Sequence, residues 1–462
     1  MSATRALAEF ALGVDAEATP EAVRHEALRI LVDCVGCAVA GVVTPAGRIA
    51  LEMARDERGP LTARLVGGGR ASLMPAAFAT TVLCNALDYE PVGPEGHVCA
   101  VAVPVALAVA DAVDAPGSEL LAGLLAGLEA GGRVGGALRR VGQSGAKVTP
   151  AVRGTAHAVF AAVAAAGRIL RLTPAQMHEA FGIAGYSATL PTLKKVMSSE
   201  HAPMTKYDHL GLIAQNGIQA ALLARKGFTG DRSVLEGEYG FWRFAGALGY
   251  DEDFVTRDLG ATWTIGQTWF KRYPVILYTT PVLDTVRRLM AESGLVADAI
   301  ERVEVATTRP NAVQAVSEVR DEMDAWTSTP YNVAVAAHDV RPRRAWQQPA
   351  TYRRPDLVRL TRAVTVRALR ADELPPAGNY WEGWCPVRVT VHSGQAHEGA
   401  QDRLPRIEDD EIDKKFRDNV VGLLSDDAAE RLRTACWRAA GIGSAREITE
   451  LIGTATAPAR AG

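Results

Sequence analysis

The chain has 462 residues, of which 48% are hydrophobic and 22% charged, with a net charge of -3. It is too long for one ordinary core, so two domains, or one large and one small, are expected. A charge this close to neutral argues against a nucleic-acid partner, which would want a basic excess, and Arg341-Pro-Arg343-Arg344 is short enough to be a solvated loop. Membrane insertion is not expected either, since no apolar run reaches the roughly 18 residues a span needs.

The N-terminus, MSATRALAEFALGVDAEATPE, has one Arg, an early Glu and no clear small-residue cleavage site, so it reads as the start of a helix rather than a signal peptide. Cys34, Cys37, Cys84, Cys99, Cys385 and Cys436 are sparse and scattered, which fits reduced thiols in a cytoplasm. Cys34 and Cys37 have metal-ligand spacing, but they sit in an apolar stripe with no second pair and read as small core residues.

Thr19-Pro20, Thr173-Pro174 and Thr280-Pro281 each precede a helix-period pattern. In that pairing Thr caps the free N–H groups of a first turn, and Pro loses nothing at the next position. Thr173 with Gln176 also completes a capping box. After Pro20, Val23, Ala27, Ile30, Leu31, Cys34 and Val35 form an apolar stripe, and further helices are expected near 74–87, 101–113, 118–139, 153–170, 174–187 and 205–227. With short loops and almost no alternation, this half reads as a many-membered helical bundle.

Past residue 265 the texture changes. Alternation at 301–305, 364–366 and 387–391 predicts strands, and His392-Ser-Gly394-Gln predicts a turn into a returning strand at 396–401. Helical segments near 281–293 and 330–339 interrupt them. Helices return at 407–424 and 428–439, and a last one is expected to be capped by Ser444 with Glu447. The predicted fold is mainly α, with an all-helical domain at 1–265 and 404–462 and a smaller α+β domain inserted at 266–403.

The stretch MTKYDHLGLIAQNGIQAALLARKGF, 204–228, sets Lys206 and His209 three apart where a buried helix begins. Free backbone N–H groups and the helix dipole favour an anion there. A solvated lysine and a core histidine bonded to backbone would leave the same pattern. Asn85-Ala-Leu-Asp88-Tyr-Glu90-Pro-Val-Gly-Pro-Glu95-Gly-His97 is a Pro/Gly loop between helices, carrying carboxylates and one imidazole suited to proton transfer. Ordinary loop charges and a capping His97 are the alternative. Lys271 and Arg272, at the domain junction, are suited to carboxylates or to an exposed linker, and Tyr331 is a core phenol or a site phenol. The glycine clusters do not follow strands, Gly185-Tyr-Ser187 lacks the second Gly of a nucleophile elbow, and no His, Cys and carboxylate set has metal spacing. What remains is acid/base chemistry on side chains.

Taken in order, LRILVDCVGCAVAG, NALDYEPVGPEGHVCAVAVPVALAVAD, RGTAHAVFAAVAAAGRILRLTPAQMHEAFGIAG, MTKYDHLGLIAQNGIQAALLARKGFTG, WFKRYPVILYTTPVLD and TPYNVAVAAHD resemble the MmgE/PrpD family of 2-methylcitrate dehydratases and cis-aconitate decarboxylases. The resemblance implies a large helical domain with an α+β lid, a homodimer, and a cofactor-free, metal-free active site between the domains. It implies that Lys206, Lys271 and Tyr331 bind and polarise a polycarboxylate, with His209 and Arg272 beside them, and that His97 moves a proton while Asp88 orients it. Three positions depart from the family pattern: Val92 stands for a Thr, Val148-Thr149 for a His, and Ile276 or Thr280 for another His. These departures suggest a changed substrate, such as a less highly carboxylated or bulkier ligand, a reaction with fewer proton transfers, or a degenerate site. The reaction expected is a lyase's, dehydration or decarboxylation of a small carboxylic acid; an epimerase or isomerase on the same scaffold and a non-catalytic carboxylate-binding dimer are the alternatives.

Overall fold

The computed structural model describes residues 2–93, 95–141, 146–147, 154–189, 195–196, 199, 201–307, 315–373, 385–401 and 406–456. Among these, helix dominates. The first half contains α1 (Ala3–Gly13), α2 (Glu21–Gly41), α3 (Pro45–Asp56), α4 (Leu73–Asn85), α5 (Cys99–Val113), α6 (Gly117–Arg139), α7 (Ala158–Ile169), α8 (Pro174–Tyr186) and α9 (Thr205–Arg225). The N-terminus had read as the start of a helix and apolar periodicity had located the others except α3, whose Thr44 caps Gly47 N–H ahead of Pro45.

Only one of the three Thr-Pro pairs caps as expected. Thr173 accepts from Gln176 N–H and closes the capping box. Thr19 instead donates its hydroxyl to Asp15 O, which leaves Pro20 at the cap position of α2. Thr280 is already helical, the first residue of α10 (Thr280–Ser293), because a 3-10 turn at Leu277–Thr279 brings the helix in early.

α9 shows why a buried helix can still have an outer side. Leu212 and Gln219 are exposed and Gln215, Asn216 and Leu222 partly so, while the other residues from 213 to 221 are buried. It packs on α4, α7 and α8. A Cβ on Gly217 would fall 2.2 Å from that of Ala162, so only glycine permits this approach of α9 to α7.

The second half contains α11 (Glu322–Thr327), α12 (Thr329–Ala337), α13 (Pro355–Arg362) and a four-stranded sheet. Its strands are β1 (Ile300–Thr307), β2 (Val364–Ala368), β3 (Val387–Val391) and β4 (Ala396–Gly399), in the order β2-β1-β3-β4. β1 runs parallel to β2 and antiparallel to β3, and Gly394, at a φ of 87°, turns β3 into β4 as the sequence predicts. Three helices follow: α14 (Asp409–Val420), α15 (Asp426–Trp437) and α16 (Arg446–Gly453). Ser444 does not make the expected box with Glu447: its hydroxyl accepts from Arg446 N–H and donates to Asp114.

Apolar burial divides into two main clusters. One gathers residues from Ala3 to Ile276 and from Ile407 to Ala455, and it also takes in Met323 and Trp326. The other lies wholly between Tyr273 and Val389. α14 packs along α2, so the end of the chain closes on its beginning. Among the described residues no single helix is long and apolar enough to cross a membrane.

Candidate active site

α4 ends at Asn85, and the next three residues reverse the chain. Asp88 N–H bonds back to Asn85 O at 2.8 Å, and Asp88 adopts φ 49°, a left-handed conformation that Asp tolerates. Val92 then pairs with Trp269 by two backbone bonds of 2.8 and 2.9 Å. That pairing brings the segment after Trp269 alongside the loop, and Lys271 Nζ donates to Asp88 O at 2.6 Å and Oδ2 at 2.7 Å. Lys206, in the first turn of α9, donates to the other carboxylate oxygen, Oδ1, and to Asn85 Oδ1 at 3.3 Å. Its ammonium also lies over the rings of Trp326, at 4.5 Å, and Tyr207, at 5.0 Å. Both amines therefore end on one carboxylate, at the C-terminal end of α4 where cations are favoured.

Asp88, Lys206 and Lys271 are all buried. Burial alone would push the Asp88 carboxyl up; Lys206 and then Lys271 outweigh it and hold Asp88 well below the usual carboxylate range. The three groups carry a net charge of +1.

Beside them stands a second, acidic set. Glu90, fully buried, receives Asn85 Nδ2 at 2.5 Å on Oε1 and faces His97 Nδ1 at 2.5 Å with the same oxygen. Burial would raise Glu90, but the imidazole next to it prevails and its carboxyl lies below its ordinary value. The His97 side chain is 12% exposed and that of Glu90 is 0% exposed, so the ring is the part of this pair that meets the outside. The expected role of Asp88 in orienting His97 is thus corrected: Asp88 is occupied by lysines, and the carboxylate on the imidazole is Glu90.

The remaining sequence candidates are bonded to other partners. His209 is buried on α9, with Nε2 2.9 Å from Thr155 Oγ1 and Nδ1 3.4 Å from Thr205 O. Burial, helped by the charge of His97, drives its pKa down to about 4. Neutral and bonded through both nitrogens, it has neither left for a substrate. Arg272 pairs with Glu411 at 3.0 Å and Asp284 at 3.5 Å, tying α14 to α10. Tyr331 is buried in the second cluster and donates its hydroxyl to Trp346 O at 2.5 Å, and burial pushes its phenol well up. Its helix is capped by Ser328, not by the Thr of its Thr-Pro pair. Val148-Thr149 lies outside the described residues.

Several members of the site were not singled out from sequence. Glu90 had been left open, with Asp88, between a site carboxylate and an ordinary loop charge and was given no role, and Asn85 was read only as the end of a helix. Lys415 on α14 went unnoticed, yet its ammonium donates to Asp33 at 2.8 Å and to Tyr89 O at 2.6 Å and lies 4.0 Å from the Tyr89 ring centre. Tyr89 separates Asp88 from Glu90, and its hydroxyl donates to Arg272 O at 3.0 Å. The loop is thereby pinned at the residue between its two carboxylates.

Asp88, Glu90 and His97 each offer an atom within 4.8 Å of the others, a span one metal ion could bridge. Asp88, however, already accepts two ammonium groups, and a dication there would meet both. The charges suit an organic anion better than a metal.

The MmgE/PrpD N-terminal domain family matches residues 5–249, and the MmgE/PrpD C-terminal domain family matches residues 273–439. The cis-aconitate decarboxylase of Homo sapiens is 26% identical over 427 residues, covering 87% of this chain and 85% of that protein. A cis-aconitate decarboxylase of Aspergillus terreus is 26% identical over 281 residues, covering 56% of this chain and 54% of that protein. The cis-aconitate decarboxylase of Mus musculus is 27% identical over 319 residues, covering 66% and 61%.

Proposed function

The chain belongs to the MmgE/PrpD family, and on that footing we propose that it is a lyase acting without a cofactor on a small carboxylic acid, releasing carbon dioxide or water. The observation that carries this reading is the unbroken run of contacts Lys271, Asp88, Lys206, Asn85, Glu90, His97. It sets two ammonium groups beside one imidazole in a buried setting. Decarboxylation comes first because the curated relatives are named cis-aconitate decarboxylases.

In such a reaction the bond to the departing carboxylate breaks and carbon dioxide leaves. The electron pair stays on carbon, delocalised toward the remaining unsaturation and carboxylate, until an imidazolium delivers a proton. In water loss the neutral imidazole instead takes the proton next to a carboxylate, the C–H electron pair forms the alkene as the C–O bond breaks, and the departing hydroxyl takes up that proton to leave as water. Either way negative charge grows beside a carboxylate, and fixed cations shielded from water stabilise it better than solvent does. His97 is the proton carrier in this scheme. The Asp88–lysine set is its electrostatic half, with residues 266–403 forming a lid over a helical domain in a homodimer.

The test is turnover of a panel of small carboxylic acids, beginning with cis-aconitate, followed by NMR in heavy water. A lost carbon or a changed alkene supports a lyase; exchange at carbon without loss of mass means epimerisation and refutes it. His97→Ala should lower turnover by about a hundred- to ten-thousand-fold with carboxylate affinity largely kept. Near-normal turnover would remove His97 from the reaction.

A further inference from the structure

We propose that Glu90 is the positioning residue of His97: it fixes the imidazole in the form that carries hydrogen on Nδ1 and leaves Nε2 as the nitrogen that exchanges protons with substrate. The inference rests on the functional reading only in taking His97 as the proton carrier.

Three observations carry it. Glu90 Oε1 lies 2.5 Å from Nδ1, and a carboxylate oxygen can only accept, so in the neutral ring the hydrogen belongs to Nδ1. Asn85 Nδ2 donates to the same oxygen and lies 3.4 Å from Nδ1, and the amide can be oriented in one way: Oδ1 must face the Lys206 ammonium, so Nδ2 is a donor shared toward Glu90. The other carboxylate oxygen, Oε2, is buried with no hydrogen-bond partner among the described residues. A carboxylate kept in that state, with its one imidazole contact at the short end of the range, is retained for the contact it makes. Around the ring stand Glu90, Asp88, Lys206 and Lys271, with His209 on α9. Of the two carboxylates, only Glu90 touches it.

The experiment needs no substrate. Protein labelled with 15N at histidine is followed by long-range 1H–15N correlation, and His97 is identified by the signals missing from His97→Gln. In the wild type its neutral form should protonate Nδ1. In Glu90→Gln, with the circular dichroism unchanged, its titration midpoint should fall by about one to three units, the usual effect of removing an adjacent opposite charge. Glu90→Asp, which keeps the charge, should restore part of the shift. A wild-type ring protonated on Nε2 overturns the proposal even if no Glu90 variant folds. So does a folded Glu90→Gln protein whose midpoint stays within about 0.3 units, far below the one unit or more expected. Failure of the wild type to turn over any acid in the panel would refute the lyase reading and leave these outcomes untouched.

Discussion

Replacing Asp88 by Asn keeps the shape of the side chain and removes the counter-charge of two buried ammonium groups at once. Breaking one buried pair by deleting a partner typically destabilises by about 3–5 kcal/mol. Here the lysine side chains are only 3% and 1% exposed, so neither ammonium can turn to water without moving its helix or loop. Their escape is to lose a proton. From an ordinary pKa of about 10.4, that costs about 4.6 kcal/mol per lysine at pH 7 and about 1.9 kcal/mol at pH 9, at 1.36 kcal/mol per unit. With one lysine neutralised the expected loss at pH 7 is therefore about 5 kcal/mol, of which roughly 3 kcal/mol should return by pH 9. Burial already pushes Lys206 in that direction. In the wild type the sign is opposite: Asp88 is held below an unfolded aspartate, so its contribution is complete above about pH 4 and is lost only as pH falls through its folded value. Urea unfolding at pH 7 and pH 9, followed by tryptophan fluorescence, measures both quantities. A loss under about 1 kcal/mol, the level of a surface pair, or a deficit equal at the two pH values, would mean that the amines are not confined as described.

Tyr331→Phe should lower stability by about 1 kcal/mol, the worth of its bond to Trp346 O, and leave turnover unchanged; a large fall in kcat would return the phenol to the site. His209 is held neutral with its pKa near 4, below the unfolded value, so acid draws protons to the unfolded chain and stability falls from about pH 6.5 to pH 4, by about 3 kcal/mol in all. His209→Gln should flatten that part of the stability profile, and an unaltered slope in urea titrations would contradict it. Lys415→Met should destabilise by about 3–5 kcal/mol by orphaning Asp33, and should slow turnover by releasing Tyr89; full activity in a folded Lys415→Met protein would show that the loop does not need the pin.

What the sequence made legible was what depends on period. The stripes of α2 and α9 and the alternation of β1 and β3 announce which side of an element meets a core, and the boundaries fall within a few residues of expectation. Capping was less legible, because a Thr before a Pro can equally turn its hydroxyl back to a carbonyl, as Thr19 does to Asp15 O. The site was legible as a set of residue types and not as a set of partners. Lys206 and Lys271 are drawn to Asp88 from positions 118 and 183 residues away, and no local pattern records that both choose the same acceptor. His209 was the opposite case. Its spacing to Lys206 suggested a pair, and the two do lie on neighbouring parts of one helix face, about 60° apart, but the tertiary partners differ: Lys206 ends on Asp88 and His209 on Thr155.

The division of carboxylates follows from the turn at Asp88. Positive φ at that residue ends the α4 direction, so that Asp88 and Glu90, only two apart, serve different cations: Asp88 faces the lysines of α9 and the 269–271 segment, and Glu90 faces the ring ahead of α5. Asn85 joins the two sets without adding charge, accepting from the ammonium on one side and donating to the carboxylate on the other. With His97 neutral, two ammonium groups balance two carboxylates and the assembly carries no net charge; with His97 protonated it carries +1. An incoming carboxylate is therefore best matched when it arrives with a proton on the imidazole, which is the form a decarboxylase needs in order to protonate carbon.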